Sequence, residues 1–510
     1  MQPVFKQNNQ NQLMLLPPSV EELIHKNHPV RVLNHVVNKL NIDAITKQYQ
    51  GGGTSSFDPR MMLKILFYAY MTNVYSSRKI EQLLHENIHF MWLSGMQKPD
   101  HNTINRFRSD KLKDILYPIF SEIVVMMHNA GCLDIKTIYT DGTKIEANAN
   151  KYTFVWGRAL KYRKEKILEQ IQQLWKYAED VSQRELSDTC PSTFAEVNPE
   201  NIETAIDNIN QALKGHNVAP AVKNKLNRVK KKWPELLRDY QLKEQILGER
   251  NSYSKTDTDA TFMRMKEDHM MNGQLKPCYN WQISTNNQFI VNYGLYQSST
   301  DTITFPHHLQ TYYNLYLAYP AEVTADAGYG SEENYAFARD NDVETYIKYN
   351  NFQKEHQKAW LKDISNSDNL FYNKNADCFY CPMGQKMQRI DTKKARTKTG
   401  FEQTLAVYRA QNCQGCPLRG SCFKSKGNRT IEINHAAREL RAKAKANLLS
   451  EKGQIRRRLR SIEPETVFGN IKHNKKFKRF NLRGKAKAEV EIGLISIAHN
   501  LSKFAKMIKF

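Results

Sequence analysis

Apolar residues recur at helical spacing in the first part of the chain. Met62, Ile65 and Leu66 share one face of a helix that we expect to begin at Pro59, since proline is favoured in the first helical turn. A second helix is predicted after a pair of serines and a third after a Pro-Asp pair, both of which are typical helix starts. The pattern predicts an all-helical region, which we bound at residues 1–130.

Strand-like runs then alternate with helices, which is the pattern of an α/β fold. We expect helices after Asp301 and from Ser331, and a hairpin turn at residues 286–287. The first predicted strand ends at Asp141 and the fourth ends at Asp326. The strands are predicted at residues 137–140, 279–284, 288–293, 322–325 and 343–349.

Two insertions interrupt this core. Residues 158–260 show an apolar helical face at Ile167, Ile171 and Leu174 among many lysines and arginines, which predicts an inserted helical hairpin. Residues 355–430 contain five of the eight cysteines of the chain. The remaining segments are expected to form the core, and the last of them consists of helices; these segments are residues 131–157, 261–354 and 431–510.

Composition narrows the possible functions. With 510 residues, 40% of them hydrophobic, the chain can bury a sizeable core divided among several units. Lys and Arg total 75 against 52 Asp and Glu, so we expect a polyanionic partner, and first of all nucleic acid. The longest apolar run, residues 61–71, is interrupted by Lys64, which excludes a membrane span. The start, MQPVFKQNNQ, lacks the pattern of a secretory signal, so we expect a cytoplasmic protein.

Asp141 and Asp326 are the first candidates for chemistry. Each follows a predicted strand and stands close before a glycine, and for either residue alone an ordinary turn is the simpler interpretation. On neighbouring strands, however, the two carboxylates would converge and repel each other unless a cation such as Mg²⁺ lay between them. A third carboxylate is available at Glu463 or Glu465 in a late helix. Three acids that hold two metal ions can cleave a phosphodiester bond.

The clustered cysteines have the spacing of a metal site. Cys378-x-x-Cys381 and Cys413-x-x-Cys416 resemble the paired thiolates of tetrahedral zinc sites, and Cys422 is a fifth candidate. Ordinary reduced cysteines are the alternative interpretation, and spacing alone does not select four of the five. Four thiolates would leave no open coordination position, so such a zinc ion would be structural.

Basic residues are dense around the late glutamates and on the third predicted helix. Either set suits the neutralisation of DNA phosphates, and a solvated polar face is the alternative for both. The third helix presents Asn102, Asn105, Arg106 and Arg108 close together, as in a helix laid in a DNA groove. The inserted helices offer a second basic track through Lys223, Lys225, Arg228, Lys230, Lys231 and Lys232.

Several segments, taken in order, resemble bacterial insertion-sequence transposases of the DDE class, in the branch with a cysteine-containing insertion before the final glutamate. Any one segment is weak evidence, whereas the ordered set covers most of residues 50–510 and is specific. The segments are FDPRMMLKILFYAY, SSRKIEQLL, PDHNTINRFR, YTDGTKIEANANK, TADAGYGSEENY, CPMGQK, CQGCPLRGSC and ETVFGNIKHNKKFKRFNLRGKAK.

The resemblance implies a ribonuclease-H-like core, interrupted by the helical and cysteine-containing insertions and preceded by a helical DNA-binding region. It implies that Asp141, Asp326 and Glu465 are catalytic and hold Mg²⁺ or Mn²⁺. Glu465 matches the family position because it lies three residues before Phe468 and seven before Lys472, and Glu463 is the runner-up. For the structural zinc ion the resemblance selects Cys381, Cys413, Cys416 and Cys422, with Cys378 as the alternate.

The resemblance also implies contacts with DNA. Lys472 matches a family position near the cleaved end. Related transposases carry a tyrosine and an arginine upstream of the glutamate, where this chain has Arg458 and Ser461, so nearby arginines are expected to substitute. Asp257, Asp259 and Asp301 lie in family-like runs and either support a metal or cap helices. The predicted DNA contacts are Arg106, Arg108, Arg457, Arg458, Arg460, Lys472, Lys475, Lys476 and Arg479.

The function implied is a nucleoid-associated transposase that binds the terminal inverted repeats of its element as double-stranded DNA. It would cleave DNA there and join the freed 3′-hydroxyl to target DNA, acting as a homodimer because two ends must be brought together. Two alternatives are a non-catalytic DNA-binding protein derived from a transposase and a metal-dependent nuclease that recognises DNA structure.

Overall fold

The computed structural model describes residues 19–49, 56–183, 186, 197–265 and 273–508, so the start MQPVFKQNNQ lies outside the described residues. The first part is helical, as predicted, and a π-helical turn, Phe107–Lys111, follows the sixth helix. The helices are α1 (Pro29–Lys39), α2 (Asp43–Thr46), α3 (Pro59–Met71), α4 (Ser77–Glu86), α5 (Ile88–Leu93), α6 (His101–Arg106) and α7 (Leu116–Asn129).

Side-chain caps fix the starts of two of the three predicted helices, whereas Ser76 makes no side-chain cap hydrogen bond at the start of α4. The Asp58 carboxylate accepts a hydrogen bond from the Arg60 N–H, 2.8 Å away, so that Pro59 opens α3 as expected. The Asp100 carboxylate accepts the Thr103 N–H at 2.9 Å and starts α6. The three helices predicted from apolar spacing are therefore confirmed.

A mixed six-stranded sheet forms the centre of the fold, which confirms the α/β class. Its strands are ordered β4-β5-β1-β7-β8, and β6 pairs with β5. The β1–β5 and β5–β6 pairs are antiparallel, whereas β7 runs parallel to both β1 and β8. The strands are β1 (Thr137–Glu146), β4 (Thr261–Arg264), β5 (Leu275–Asn286), β6 (Phe289–Tyr296), β7 (Glu322–Ala325) and β8 (Glu344–Ile347).

Two strand predictions need correction. The first strand does not end at Asp141 but continues to Glu146, because residues 141–146 pair with the distant strand β5. The hairpin turn lies at Asn287 and Gln288, one residue later than predicted, and both have positive φ angles of 47° and 57°. Such angles suit a tight hairpin turn, and asparagine tolerates them well.

The helical insertion contains an additional helix. A hairpin of two helices was predicted, but the described residues form α8 (Gly157–Ser182), α9 (Pro199–Ala212) and α10 (Pro220–Leu247). The predicted apolar face of α8 is buried, including Ile171 and Trp175. At the base of the insertion, β2 (Phe154–Trp156) pairs with β3 (Ser252–Ser254), which brings its two ends together.

The cysteine-containing insertion is built on an antiparallel sheet ordered β13-β12-β11-β10-β9. The helices that follow it return the chain to the central sheet. The elements of this part are α13 (Lys358–Lys362), β9 (Tyr372–Asn373), β10 (Cys378–Tyr380), β11 (Lys386–Arg396), β12 (Glu402–Ala410), α14 (Arg419–Cys422), β13 (Thr430–Ile433), α15 (His435–Leu449), α16 (Glu451–Ile462), α17 (Pro464–Gly469) and α18 (Lys485–Met507). The helices α11 (Phe305–Tyr316) and α12 (Glu332–Asp340) lie between β6 and β8, as predicted.

Helix α18 joins the N-terminal helices to the sheet. Its residues 490–501 are all buried, and it packs on α3, α7 and β6. One continuous hydrophobic cluster therefore contains both the N-terminal helices and the central sheet, whereas each insertion has a cluster of its own. Among the described helices, none is both long enough and apolar enough to cross a membrane.

A buried carboxylate connects α18 to its surroundings. Glu491 accepts hydrogen bonds from the Tyr70 hydroxyl at 3.2 Å and from the backbone N–H groups of Asn481 and Leu482 at 2.8 and 2.9 Å. The buried Arg108 guanidinium donates to the Tyr70 hydroxyl at 3.2 Å. Glu491 thus supplies the negative charge that compensates Arg108 inside the fold.

We predict that Glu491→Ala lowers the free energy of unfolding by about 3–5 kcal/mol, because the buried N–H groups lose their acceptor and Arg108 loses its counter-charge. Denaturant unfolding measures this change. The control is the exposed Lys487→Ala on the same helix, for which we expect a change within about 0.5 kcal/mol. Equal effects of the two substitutions would contradict this role of Glu491.

Candidate functional site

Asp141 and Asp326 meet at one edge of the central sheet. Strands β1 and β7 are parallel, with Thr137 opposite Glu322, and each aspartate lies four residues beyond that pair. Because the two strands run in the same direction, Asp141 lies beside the position at which β7 ends and Asp326 follows. Asp141 is 7% exposed, and Asp326 accepts the Gly328 N–H at 2.8 Å as it caps a short 3-10 turn.

Arg460 connects Asp141 to the predicted glutamate. One terminal nitrogen of Arg460 lies 3.1 Å from Glu465 Oε1, and the other lies 3.7 Å from Asp141 Oδ2. The runner-up Glu463 is directed elsewhere, because its carboxylate accepts the backbone N–H of Gln288 at 2.7 Å. Through Arg460, the geometry therefore connects Glu465, and not Glu463, to Asp141.

A fourth carboxylate, Asp301, lies at the same edge. Its Oδ1 accepts hydrogen bonds from the side-chain amides of Asn280 at 2.7 Å and Gln282 at 2.8 Å, both on β5. Its side chain does not cap the helical turn that follows it. A Cβ atom on Gly142 would lie 2.9 Å from Asp301 Oδ1, so the glycine after Asp141 leaves space for Asp301.

Tyr329 lies beneath these acids. Its hydroxyl donates to the side-chain oxygen of Gln282. Burial, followed by the negative charges of Asp301, Asp141 and Asp326, raises the pKa of Tyr329 well above its usual value. Tyr329 is therefore a neutral hydrogen-bond donor that fixes the orientation of Gln282, which in turn holds Asp301.

The other two acids from family-like runs have separate structural partners. Asp257 accepts the Tyr279 hydroxyl at 2.9 Å. Asp259 accepts the N–H of Lys485, the first residue of α18, at 2.9 Å. Asp259 therefore caps a helix, which is one of the two roles that the sequence left open for it.

Positive charges line the same edge as the acids. Lys348 follows β8, and its pKa is lowered by burial and then by Arg460 and Arg457, while Asp326 opposes the shift. The Arg457 guanidinium lies over the ring of Phe352, 5.4 Å from its centroid. Lys348 was not predicted from the sequence as a site residue. Its position directly after β8, the strand next to β7, is a signal that could have identified it.

Within the described ranges, no group of three or more His, Cys, Asp or Glu side chains is arranged to hold a metal ion. At the sheet edge, the three predicted acids do not surround a common metal position because Glu465 is directed to the Arg460 guanidinium. The oxygen donors are nevertheless of the kind that hard divalent cations prefer.

Two known families match parts of the chain. Residues 18–110 match a family described as Transposase domain (DUF772), and residues 380–505 match a family described as Transposase DDE domain. Together, the two matches support an insertion-sequence transposase of the DDE class. No curated protein and no solved structure matches the chain.

The DDE transposase family in general consists of enzymes of DNA transposition that act on DNA and depend on divalent metal ions. The second match contains Glu465 and Arg460, whereas Asp141 and Asp326 lie outside both matches. For Asp141 and Asp326, the support for a shared site comes from the parallel pairing of β1 and β7 and not from the family matches.

The predicted DNA contacts of the transposase fall into two groups. Arg108 is 2% exposed and donates its N–H groups to Tyr70, to the Tyr75 carbonyl and to Asn105. Lys472 is largely buried, as is Lys475, which donates to the Met71 carbonyl at 3.1 Å. The remaining predicted contacts are exposed or half-buried; they are Arg106, Arg457, Arg458, Arg460, Lys476 and Arg479.

Four cysteines of the transposase line one small cavity of about 20 Å³; they are Cys381, Cys413, Cys416 and Cys422. The N–H of Gln385 donates to Cys381 Sγ, and the N–H of Arg429 donates to Cys413 Sγ, both at 3.3 Å. The Arg429 guanidinium donates to Cys422 Sγ at 2.8 Å. Cys378 is fully buried within β10 and does not line this cavity.

Burial of Lys475 makes the stability of the fold depend on pH. Burial and then the charge of Lys506 lower the pKa of Lys475 from its ordinary value of 10.5 to about 8. Folding therefore disfavours the charged form, and this cost is fully present below pH 8 and disappears as the pH rises towards 10.5.

We predict that Lys475→Met raises the free energy of unfolding at pH 7 by about 1–3 kcal/mol, and that this gain shrinks between pH 8 and pH 10.5. Denaturant unfolding at several pH values tests the prediction, with the exposed Lys476→Met as control. A difference from wild type that does not vary with pH would contradict it.

Proposed function

We propose that this transposase binds the terminal inverted repeats of its element as double-stranded DNA, hydrolyses phosphodiesters at the element ends and joins the freed 3′-hydroxyl to target DNA. The observation that carries the proposal is that Asp141, within β1, and Asp326, directly after the parallel strand β7, lie at matching positions, with Glu465 linked to Asp141 through Arg460. We propose a homodimer, because strand transfer needs two ends held together, and a location at the bacterial nucleoid, where the DNA lies.

A ribonuclease-H-like core is part of this proposal. The strands β1, β5 and β6 pair antiparallel as neighbours, and β7 and β8 extend the sheet in parallel on the other side of β1. This strand order supports the proposed core, in which Asp141 would lie on β1 and Asp326 directly after β7.

We propose that Asp141, Asp326 and Glu465 hold two Mg²⁺ or Mn²⁺ ions. When bound there, such ions activate the attacking oxygen and stabilise the leaving oxygen of the phosphodiester. Asp301 would help to position the site, because hydrogen bonds from Asn280 and Gln282 fix its carboxylate beside the loop that follows Asp326. Lys348 and Arg457 lie where they can neutralise the phosphates of the bound strand.

The DNA-binding surface is assigned to the accessible basic residues. Arg106 lies on α6 in the N-terminal helices, where the helical region would contact the inverted repeat. Lys472 and Lys475 are buried and Arg108 is held inside the fold, so exposed residues supply most phosphate contacts. The proposed surface consists of Arg106, Arg457, Arg458, Lys476, Lys478, Arg479 and Arg483, and the exposed lysines of α10 offer a second track.

We predict that Asp326→Asn abolishes DNA cleavage, because removing one catalytic metal ligand costs at least about a hundredfold in rate. Purified protein is incubated with DNA that flanks its own gene, with Mg²⁺ or Mn²⁺, and the 3′ ends are mapped. The matched control is Asp342→Asn, an exposed aspartate with a positive φ angle of 56° that asparagine tolerates.

Wild type and Asp342→Asn should produce discrete cuts that bound the element, and Asp326→Asn should produce none. Equal cutting by Asp326→Asn would remove that residue from the chemistry. DNA binding without cutting by wild type would favour the non-catalytic alternative, and cuts without joining or end preference would favour the structure-specific nuclease.

We also propose that Cys381, Cys413, Cys416 and Cys422 bind a structural Zn²⁺ ion. Their common cavity and the N–H groups that donate to their sulfurs support this assignment, and Cys378 is excluded from the cavity. The ion would hold the loop of α14 against the small sheet of the insertion, whose own hydrophobic cluster is small.

We predict that the purified protein contains one zinc ion per chain by elemental analysis. Cys416→Ser should lose the zinc and destabilise the insertion, whereas Cys132→Ser, outside the insertion, should retain it. A zinc-free wild-type protein, or an unchanged zinc content in Cys416→Ser, would contradict the assignment.

A further inference from the structure

Arg460 occupies the space between two of the proposed catalytic acids. Its two terminal nitrogens lie 3.1 Å from Glu465 Oε1 and 3.7 Å from Asp141 Oδ2. Its side chain is 20% exposed and that of Asp141 is 11% exposed, so this cation is shielded from bulk water more than an ordinary surface arginine. The contact links a strand of the central sheet to a helix that follows the second insertion.

The acids need a positive charge at this position. Asp141 and Asp326 leave adjacent strands at the same edge, and Asp301 lies within the same space, so their carboxylates repel one another. In the structure, the Arg460 guanidinium compensates part of this charge. A divalent cation bound by Asp141 and Glu465 would compete with the Arg460 guanidinium for the negative charge of these carboxylates.

The contact is built so that it can separate. Arg460 lies near the end of α16, whereas Glu465 lies on α17, and the chain bends between the two helices at Glu463 and Pro464. The Glu465 side chain is 51% exposed, so solvent reaches its carboxylate.

Resting on the proposed function, we propose that Arg460 is a resident counter-cation that holds Asp141 and Glu465 together until a divalent metal ion displaces it, after which its guanidinium contacts a DNA phosphate. Arg460 is thus a positioning residue before metal binding and a phosphate ligand afterwards. The nearby Lys348 and Arg457 favour this release, because their positive charges repel the guanidinium.

The first test measures metal binding without DNA. The full chain is titrated with Mn²⁺, and the free ion is followed by electron paramagnetic resonance. Because Arg460 competes for the same carboxylates, Arg460→Ala should bind Mn²⁺ about fivefold more tightly than wild type. The charge-matched control is Arg441→Ala on α15, an exposed arginine outside the proposed DNA-binding surface, whose screened charge should change the affinity by less than about twofold.

The second test measures the released guanidinium. A duplex without the element's ends is bound at several salt concentrations, with and without Mn²⁺. In Arg460→Ala, the slope of log affinity against log salt should fall by about 0.9 when Mn²⁺ is present, which corresponds to one lost phosphate contact. Without Mn²⁺, the slope should equal that of wild type, since Arg460 is then held by the acids.

The outcomes separate this inference from the proposed function. Asp326→Asn should lose Mn²⁺ affinity; if it does not, or if wild type binds no Mn²⁺, the proposed metal site and the inference both fail. If Asp326→Asn loses Mn²⁺ but Arg460→Ala binds it as wild type does, or more weakly, only the inference is overturned. Circular dichroism of each variant identifies any loss of fold.

Discussion

The arrangement of the site follows from electrostatic repulsion between carboxylates that the sheet forces together. Parallel pairing of β1 and β7 sets Asp141 and Asp326 side by side, and Asp301 is held in the same space by two amides of β5. Such a group of negative charges is stable only with a cation nearby. In this structure, Arg460 supplies the positive charge, and in the active enzyme divalent metal ions would supply it.

The rest of the chain keeps that edge rigid. Helix α18 packs against both β6 and the N-terminal helix α3, and Glu491 compensates the buried charge of Arg108 where these elements meet. Each insertion has its own hydrophobic cluster, so it adds little disturbance to the central core. The pairing of β2 with β3 brings the ends of the helical insertion together, and the central sheet therefore continues across it.

Local patterns predicted the elements well. Strand β7 was predicted with the bounds that the structure has, and Asp326 follows it directly. The length of β1 was not predicted, because residues 141–146 are held by a strand more than a hundred residues away. The third helix of the helical insertion was also missed, and the region was interpreted as a hairpin.

The site was predicted only in part, since its remaining members meet through the fold. Asp301 and Lys348 reach the edge from segments that lie apart in sequence, and no spacing rule connects them. Arg108, in contrast, was predicted to contact DNA but is buried. A basic helix face in the sequence does not show that one guanidinium is directed inward, to the Tyr70 hydroxyl. Side-chain burial, which depends on tertiary packing, decides whether a basic residue can contact DNA or is held inside the fold.

The most direct test of this account is anomalous diffraction at the manganese edge from crystals of the full chain grown with Mn²⁺. We predict anomalous peaks in contact with Asp141, Asp326 and Glu465, with the Arg460 guanidinium turned away from the acids. Peaks elsewhere, or an Arg460 that still bridges Asp141 and Glu465 while Mn²⁺ is bound, would contradict the claim that the acids and their exchangeable cation form the centre of this enzyme.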